Sequence, residues 1–367
     1  SFSMNEFIDS QKNHGRQKAI WLFSIVAVSF FMIVFGGLVR LTESGLSIVE
    51  WNVVMGTIPP LTHDDWNIAF TKYQSSPEFK LKNFSMTIEQ FKFIFYMEYF
   101  HRLIGRLIGF VFLLPFVYFV ITKKCYKNEI ISYIVLFILG GLQGAMGWYM
   151  VKSGLIHEPR VSHFRLTAHL LLALLIVSFG LWLGLRQWYQ EKKTITDMLP
   201  SKIPLMISMI LLTVQIITGG FVAGTDAGLV SDTFPKMQGQ WIPDTLWIFE
   251  PLIRNFFENP VMLQFVHRIG AMIVFCALLY TSRYVFQKSV SKDVKIASVI
   301  MAALVLFQFV LGIATIVFHV PISLASFHQA LAVLLWCSLI FLLFRTKAMT
   351  NSIAAVLVNN KVEALVS

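Results

Sequence analysis

The chain has 367 residues, of which 56% are hydrophobic and 14% charged, with a formal net charge of +10 and a mean hydropathy of +0.68. That apolar excess excludes an ordinary soluble globular domain and points to the bilayer. The positive charge does not mark a nucleic-acid binder, because it is distributed as membrane topology requires.

Eight apolar stretches are long enough to cross roughly 30 Å of hydrocarbon as helices: 19–39, 102–121, 130–151, 166–186, 204–223, 265–283, 296–318 and 325–344. Lys12, Arg16 and Lys18 precede the first. Its far end reads Arg40-Leu41-Thr42-Glu43, which is no small-residue cleavage site, so the stretch is expected to be a span and not a signal peptide. A long loop at 40–97 follows, with Trp51, Pro59-Pro60, Trp66, Phe70, Tyr73, Phe84, Phe91, Phe93 and Phe95. These predict short amphipathic helices at the interface. Lys123, Lys124 and Lys127 follow the second span; Arg186, Lys192, Lys193 and Lys202 the fourth. Arg283, Lys288, Lys292 and Lys295 follow the sixth, and Arg345 and Lys347 the eighth. The alternate loops are mixed or acidic, and that at 225–262 adds Trp241, Trp247, Phe256 and Phe257. The asymmetry places both termini on the cytoplasmic side of a bacterial inner membrane, or on the matrix side of the mitochondrial one. Cys125, Cys276 and Cys337 offer no disulfide framework and no CxxC motif.

The spans fall into two sets of four. Gly36-Gly37 and its continuation Thr42-Glu43-Ser44-Gly45-Leu46 return 183 positions later, as Gly219-Gly220 and Thr225-Asp226-Ala227-Gly228-Leu229. Glu98-Tyr99-Phe100-His101-Arg102 returns as Gln264-Phe265-Val266-His267-Arg268; Gln143 and Gln308 match, as do His169 and His328. The polar positions match as well as the apolar ones, so a parallel repeat of a four-helix unit is expected. The expected divisions are a tail at 1–18, halves at 19–190 and 204–345, a linker at 191–203, and a tail at 346–367. The fold class is therefore an all-α integral membrane protein of two four-helix bundles.

Of nine histidines, His14, His63 and His157 fall in tails or loops, and His163 and His319 near helix ends. His101, His169, His267 and His328 each fall in the first turns of an even-numbered span, at one depth under the outward face. A lone histidine there is usually a packed residue, but four at matched positions point to function. Imidazoles from facing helices suit the two axial positions of haem iron. Gly105, Ala173, Ala271 and Ala332, four residues after each histidine, would make room for a flat macrocycle. Arg40, Arg102, Arg165 and Arg268 lie at the same boundary as candidates for its propionates. Zinc suits the pattern less well, since thiols and tight His spacing are missing. Glu98 shares a helix face with His101. It reads either as an acid beside a haem edge or as a boundary charge paired with Arg102.

At these motifs the chain resembles the haem A synthase family over essentially its whole length. The resemblance implies oxidation of the C8 methyl of haem O to a formyl group by two successive hydroxylations. It implies His267 and His328 as axial ligands of a retained haem b, His101 and His169 as those of the substrate haem, and Glu98 as the catalytic acid. No cysteine lies between 40 and 97, so the chain is similar to the alphaproteobacterial and mitochondrial branch and not to the branch with a cysteine pair there. Implied partners are haem O, molecular oxygen or water, an electron donor, haem O synthase, cytochrome oxidase assembly factors, membrane lipid and a second copy of the chain. One rival is a dihaem b-type cytochrome for quinol-linked electron transfer, which leaves the Glu98/Gln264 difference idle. A transporter is the other, and it predicts more midplane polarity than Gln143, Gln215 and Gln308 supply.

Overall fold

A computed structural model describes residues 4–50, 55–154, 161–190 and 196–348. Trp51, His157, Lys192, Lys193 and the tail from 349 lie outside the described residues. Among the described residues, eleven α-helices occur in chain order: α1 (Met4–Leu41), α2 (His63–Gln74), α3 (Pro77–Leu81), α4 (Ile88–Ile121), α5 (Lys127–Gly154) and α6 (His163–Gln190) come first. Then follow α7 (Ile203–Gly224), α8 (Asn255–Glu258), α9 (Pro260–Lys288), α10 (Lys292–Val317) and α11 (Ile322–Arg345). Eight are long and apolar enough to cross a membrane, namely α1, α4, α5, α6, α7, α9, α10 and α11. The protein is an all-α multi-pass membrane protein. Its outer helix faces carry exposed Phe110, Leu114, Ile121, Phe307 and Val310, as contact with lipid tails requires.

The all-α expectation holds with one small addition. Strand β1 (Asp197–Leu199), after the fourth span, pairs in parallel with β2 (Thr346–Ala348), after the eighth. Asp197 accepts hydrogen bonds from Ser291 N and Ser291 Oγ at the start of α10, joining three chain segments on that side.

Contacts are densest between α1 and α6, α10 and α11, and α7 and α9. The α1–α6 packing follows from a small-xxx-small stripe on α6: a Cβ at Gly180 would stand 3.2 Å from Val26, and one at Gly184 2.6 Å from Phe23. Helices α1, α6, α7 and α11 meet at the centre, around buried Ile33, Leu174, Val177, Leu212 and Leu335. Trp336 of α11 donates there to Ser178 Oγ of α6 at 2.7 Å.

The loop helices correct one expectation. Hydropathy predicts the second span at 102–121, with Glu98–Arg102 at its mouth, yet α4 starts at Ile88. Thr87 and Gln90 form a capping box, and a stripe of Phe91, Ile94, Phe95 and Tyr99 carries the helix outward. Trp66 and Tyr73 of α2 bury against that stripe. Both α2 and α3 therefore pack on protein, beyond the interfacial placement expected, and His101 lies more than three turns inside α4.

Overpacking of the α1–α6 contact gives a direct test. Gly184→Val should destabilise the protein by about 1–3 kcal/mol. Gly109→Ala, where an added Cβ meets nothing within 4 Å, should be neutral or slightly stabilising. Thermal unfolding in detergent, followed by helical circular dichroism, distinguishes the two.

Candidate functional site

The four histidines share one local arrangement. Each imidazole lies against a glycine of the span that precedes it in the chain. A Cβ built at Gly36 of α1 would stand 3.1 Å from His101 Nε2, and one at Gly147 of α5 3.5 Å from His169 Cε1. At Gly219 of α7 it would stand 3.1 Å from His267 Cε1, and at Gly312 of α10 2.9 Å from His328 Cε1. A side chain at any of these four positions would compete with the ring. His101 lies within electrostatic range of His169, and His267 of His328. The two predicted pairs are thus brought together.

Three of the four glycines follow a glutamine by one helical turn: Gln143 before Gly147, Gln215 before Gly219, Gln308 before Gly312. Gln143 donates to the His169 backbone carbonyl at 3.1 Å and Gln215 to that of His267 at 2.9 Å. The fourth position is Met32, one turn before Gly36. The Gln-xxx-Gly recurrence is legible in the sequence, and the gap for each ring lies there, on the preceding span, not at the small residues that follow each histidine. Gly105, one of those, makes only an ordinary 3.7 Å approach to Met32.

The second glycine of each Gly-Gly pair serves a different contact. A Cβ at Gly37 would collide with Gln329 of α11, which donates to Ile33 O at 3.1 Å, and one at Gly220 would collide with Thr167 of α6. The first glycine receives an imidazole; the second receives a side chain from the other group of four spans.

Glu98 is buried, and three donors converge on its carboxylate: Ser47 Oγ at 2.7 Å, Ile48 N at 2.8 Å and the Arg102 guanidinium. Arg102 continues to the carbonyls of Ile48 and Glu50. Gln264 and Arg268 do the same with inverted polarity. The Gln264 carboxamide donates to Gly228 O and Ser231 O, and Arg268 to Ser231 O and Thr233 O. Ser231 and Thr233 stand 183 positions after Ile48 and Glu50, the spacing of the Gly-Gly pairs. The Glu/Gln difference therefore has a structural cause as well: the first loop presents an N–H and a hydroxyl to the acid, the second presents carbonyls to the amide. Of the other boundary arginines, Arg40 pairs with Asp226 at 2.7 Å, and the Arg165 guanidinium lies 4.8 Å over the Tyr149 ring. His319 pairs with Asp232 at the exposed end of α10, as a boundary histidine should.

A second buried acid lies above this clamp. Glu78 of α3 accepts from Tyr73 Oη at 3.1 Å, and Asn83 donates to the same hydroxyl at 2.7 Å. Burial pushes the Glu78 carboxyl up to about 7; the Tyr73 hydrogen bond opposes this, and the charge of Glu98 adds to it.

The family model described as COX15-CtaA, cytochrome oxidase assembly protein, matches residues 19–340. The chain belongs to the COX15-CtaA family. Relatives named "Heme A synthase" match over most of their length. That of Nitrosospira multiformis is 43% identical over 325 residues, covering 87% of this chain and 90% of its own. The Wolbachia pipientis wMel protein is 40% identical, covering 91% and 94%, and the Ehrlichia canis protein 41%, covering 89% and 92%. The COX15-CtaA match spans both imidazole pairs and both clamps.

Two substitutions test the clamp and the acid above it. Ser47→Ala removes a buried hydrogen bond to a carboxylate and should cost about 1.5–3 kcal/mol, read from thermal unfolding. An unfolded Glu78 gives up its proton near the ordinary 4.5 and the folded one near 7. Its contribution is therefore fully present below pH 4.5 and is lost as pH rises through 7. Glu78→Gln should flatten the fall in stability across that window, as measured by limited proteolysis of the 55–97 loop at each pH.

Proposed function

We propose that this chain converts haem O to haem A, oxidising the C8 methyl to a formyl group in two successive hydroxylations. The observation that carries this reading is the presence of two imidazole pairs, each ring seated on a glycine of the preceding span. Among the described residues, no three His, Cys, Asp or Glu side chains gather to hold a bare metal ion. Two nitrogens suffice only for a metal whose other positions are already filled, as porphyrin iron's are. Among the described residues, His169 Nδ1, Gln143 Oε1 and Gln308 Oε1 are buried without a hydrogen-bond partner, so polar atoms lie unmatched at both pairs. The residues fit bis-imidazole haem.

On this reading His267 and His328 would hold a retained haem b, and His101 and His169 the substrate haem O. Haem b when bound supplies one-electron transfer. Glu98, on the helix that carries His101, is the acid of the substrate half, stabilising positive charge or accepting a proton during methyl oxidation. Ser47, Ile48 and Arg102 fix where that carboxylate stands. Arg40, Arg102, Arg165 and Arg268 supply the positive boundary that anionic propionates require. Residues 19–190 and 204–345 form two parallel four-helix halves, substrate and cofactor respectively. The matched spacings of clamps, glycines and histidines support this division. The basic loops place both termini in the cytoplasm of a bacterium, with the mitochondrial inner membrane as the alternative setting. Haem O synthase, oxidase assembly factors, an electron donor, molecular oxygen or water, and a second copy of the chain complete the expected partners.

Glu98→Gln should retain bound haem while haem A formation stops, measured by pigment extraction after supplying haem O. Undiminished haem A removes Glu98 from the chemistry. His267→Ala or His328→Ala should each lower the haem b content of the purified protein, read from the low-spin absorption bands. Retention of the full spectrum in both variants contradicts the cofactor assignment.

A further inference from the structure

We propose that Thr218 is a positioning residue for His267. Its hydroxyl oxygen accepts the Nδ1 proton of the imidazole, leaves the lone pair on Nε2, and makes the second-half haem the one that is kept. The proposal rests on the bis-imidazole reading above and deepens it.

The hydrogen-bond directions follow from the geometry. Thr218 Oγ1 donates to its own helix at Gln215 O, 2.9 Å away, so its only proton is engaged. The same oxygen lies 2.8 Å from His267 Nδ1. With that bond kept, the hydroxyl accepts from Nδ1–H; the Gln215 carboxamide nitrogen, 3.1 Å from Nδ1 and 3.4 Å from Nε2, stands between the two ring nitrogens and donates to the His267 carbonyl at 2.9 Å. That fixes the tautomer and leaves Nε2 as the ring's only ligand atom.

Among the described residues, no other imidazole of the four is held by a hydroxyl: His169 Nδ1 has no partner, and the His328 ring meets the backbone carbonyl of Gln308. The place equivalent to Thr218 on α1, 183 positions earlier, is Phe35, whose ring stacks on His101 at 6.2 Å and 20°. Met32 stands where Gln215 stands on α7. Among the described residues, the His101 imidazole has no hydrogen-bond partner. The two pairs therefore differ at their first ligand: His267 is oriented by a half-buried hydroxyl, His101 by a phenyl face. A donor bond from the far ring nitrogen raises imidazole basicity, favours ferric iron and holds the ring in place. A half that must release its haem as product needs the looser ligand, and a half that retains its haem needs the fixed one.

The test uses full-length protein reconstituted with haem b, with Thr218→Val as the isosteric loss and Thr218→Ser as the rescue. Two quantities are read: the midpoint potential of the low-spin haem and the rate of haem transfer to excess apomyoglobin. Thr218→Val should raise the potential and speed the slow transfer phase by about tenfold or more, and Thr218→Ser should restore both. Phe35→Thr, an independent arm, should slow the fast phase. An unchanged potential and transfer rate in Thr218→Val overturns the proposal, as does a Thr218→Ser that behaves like Thr218→Val. If Thr218→Val does not accumulate, an unslowed fast phase in Phe35→Thr overturns it. The bis-imidazole reading itself fails on a different result, an undiminished low-spin haem content in His267→Ala.

Discussion

A buried imidazole pressed against a neighbouring helix needs a gap in that helix's side chains, and here glycine supplies it four times. The close approach of ring to backbone at Gly36, Gly147, Gly219 and Gly312 lets α4 dock on α1, α6 on α5, α9 on α7 and α11 on α10. The order of spans around each site follows from it, each histidine helix being docked on the helix before it in the chain. The second glycines, Gly37 and Gly220, extend the same device to the seam, admitting Gln329 and Thr167 from across the molecule. Two adjacent glycines thus carry two unlike contacts.

Above the imidazoles the polar clamps tie the loops to the helices. An acid or amide and an arginine one turn apart grip the segment following the preceding span, at Ile48 and Glu50 in one case and Ser231 and Thr233 in the other. Burying an arginine so deep costs desolvation, and the loop carbonyls offset it with strong hydrogen bonds. The loop over each pair is consequently positioned by the helix that carries the histidine. In the first half α2 and α3 extend this cover, with Glu78 buried beneath Tyr73 close enough to feel the charge of Glu98. The surroundings of Glu98 are thereby more acidic than the surroundings of Gln264, and this is the clearest chemical difference between the two ends.

Much of this was legible in the residues. Hydropathy alone located eight spans, because nothing but a helix satisfies its backbone in lipid. The matched histidines, Gly-Gly pairs and Glu98/Gln264 were visible because polar residues are rare enough in such helices to stand out. The outward extension of α4 was not visible. Its stripe of Phe91, Phe95 and Tyr99 reads equally well as an interfacial belt until Trp66 and Tyr73 are seen to cover it. Nor were the clamp partners visible, since Ser47 and Ile48 lie some fifty residues from Glu98 and use backbone groups that leave no mark on the sequence. The role of Thr218 needed three atoms in register, Gln215 O, the hydroxyl and His267 Nδ1, which a threonine in an apolar helix does not announce.

The account is tested most directly by a cryo-electron-microscopy map of the purified protein loaded with haem b and haem O. It predicts a flat macrocycle between His101 and His169 and a second between His267 and His328, each imidazole still resting on its glycine. A map in which those rings turn to lipid, or in which no macrocycle lies between them, would contradict it.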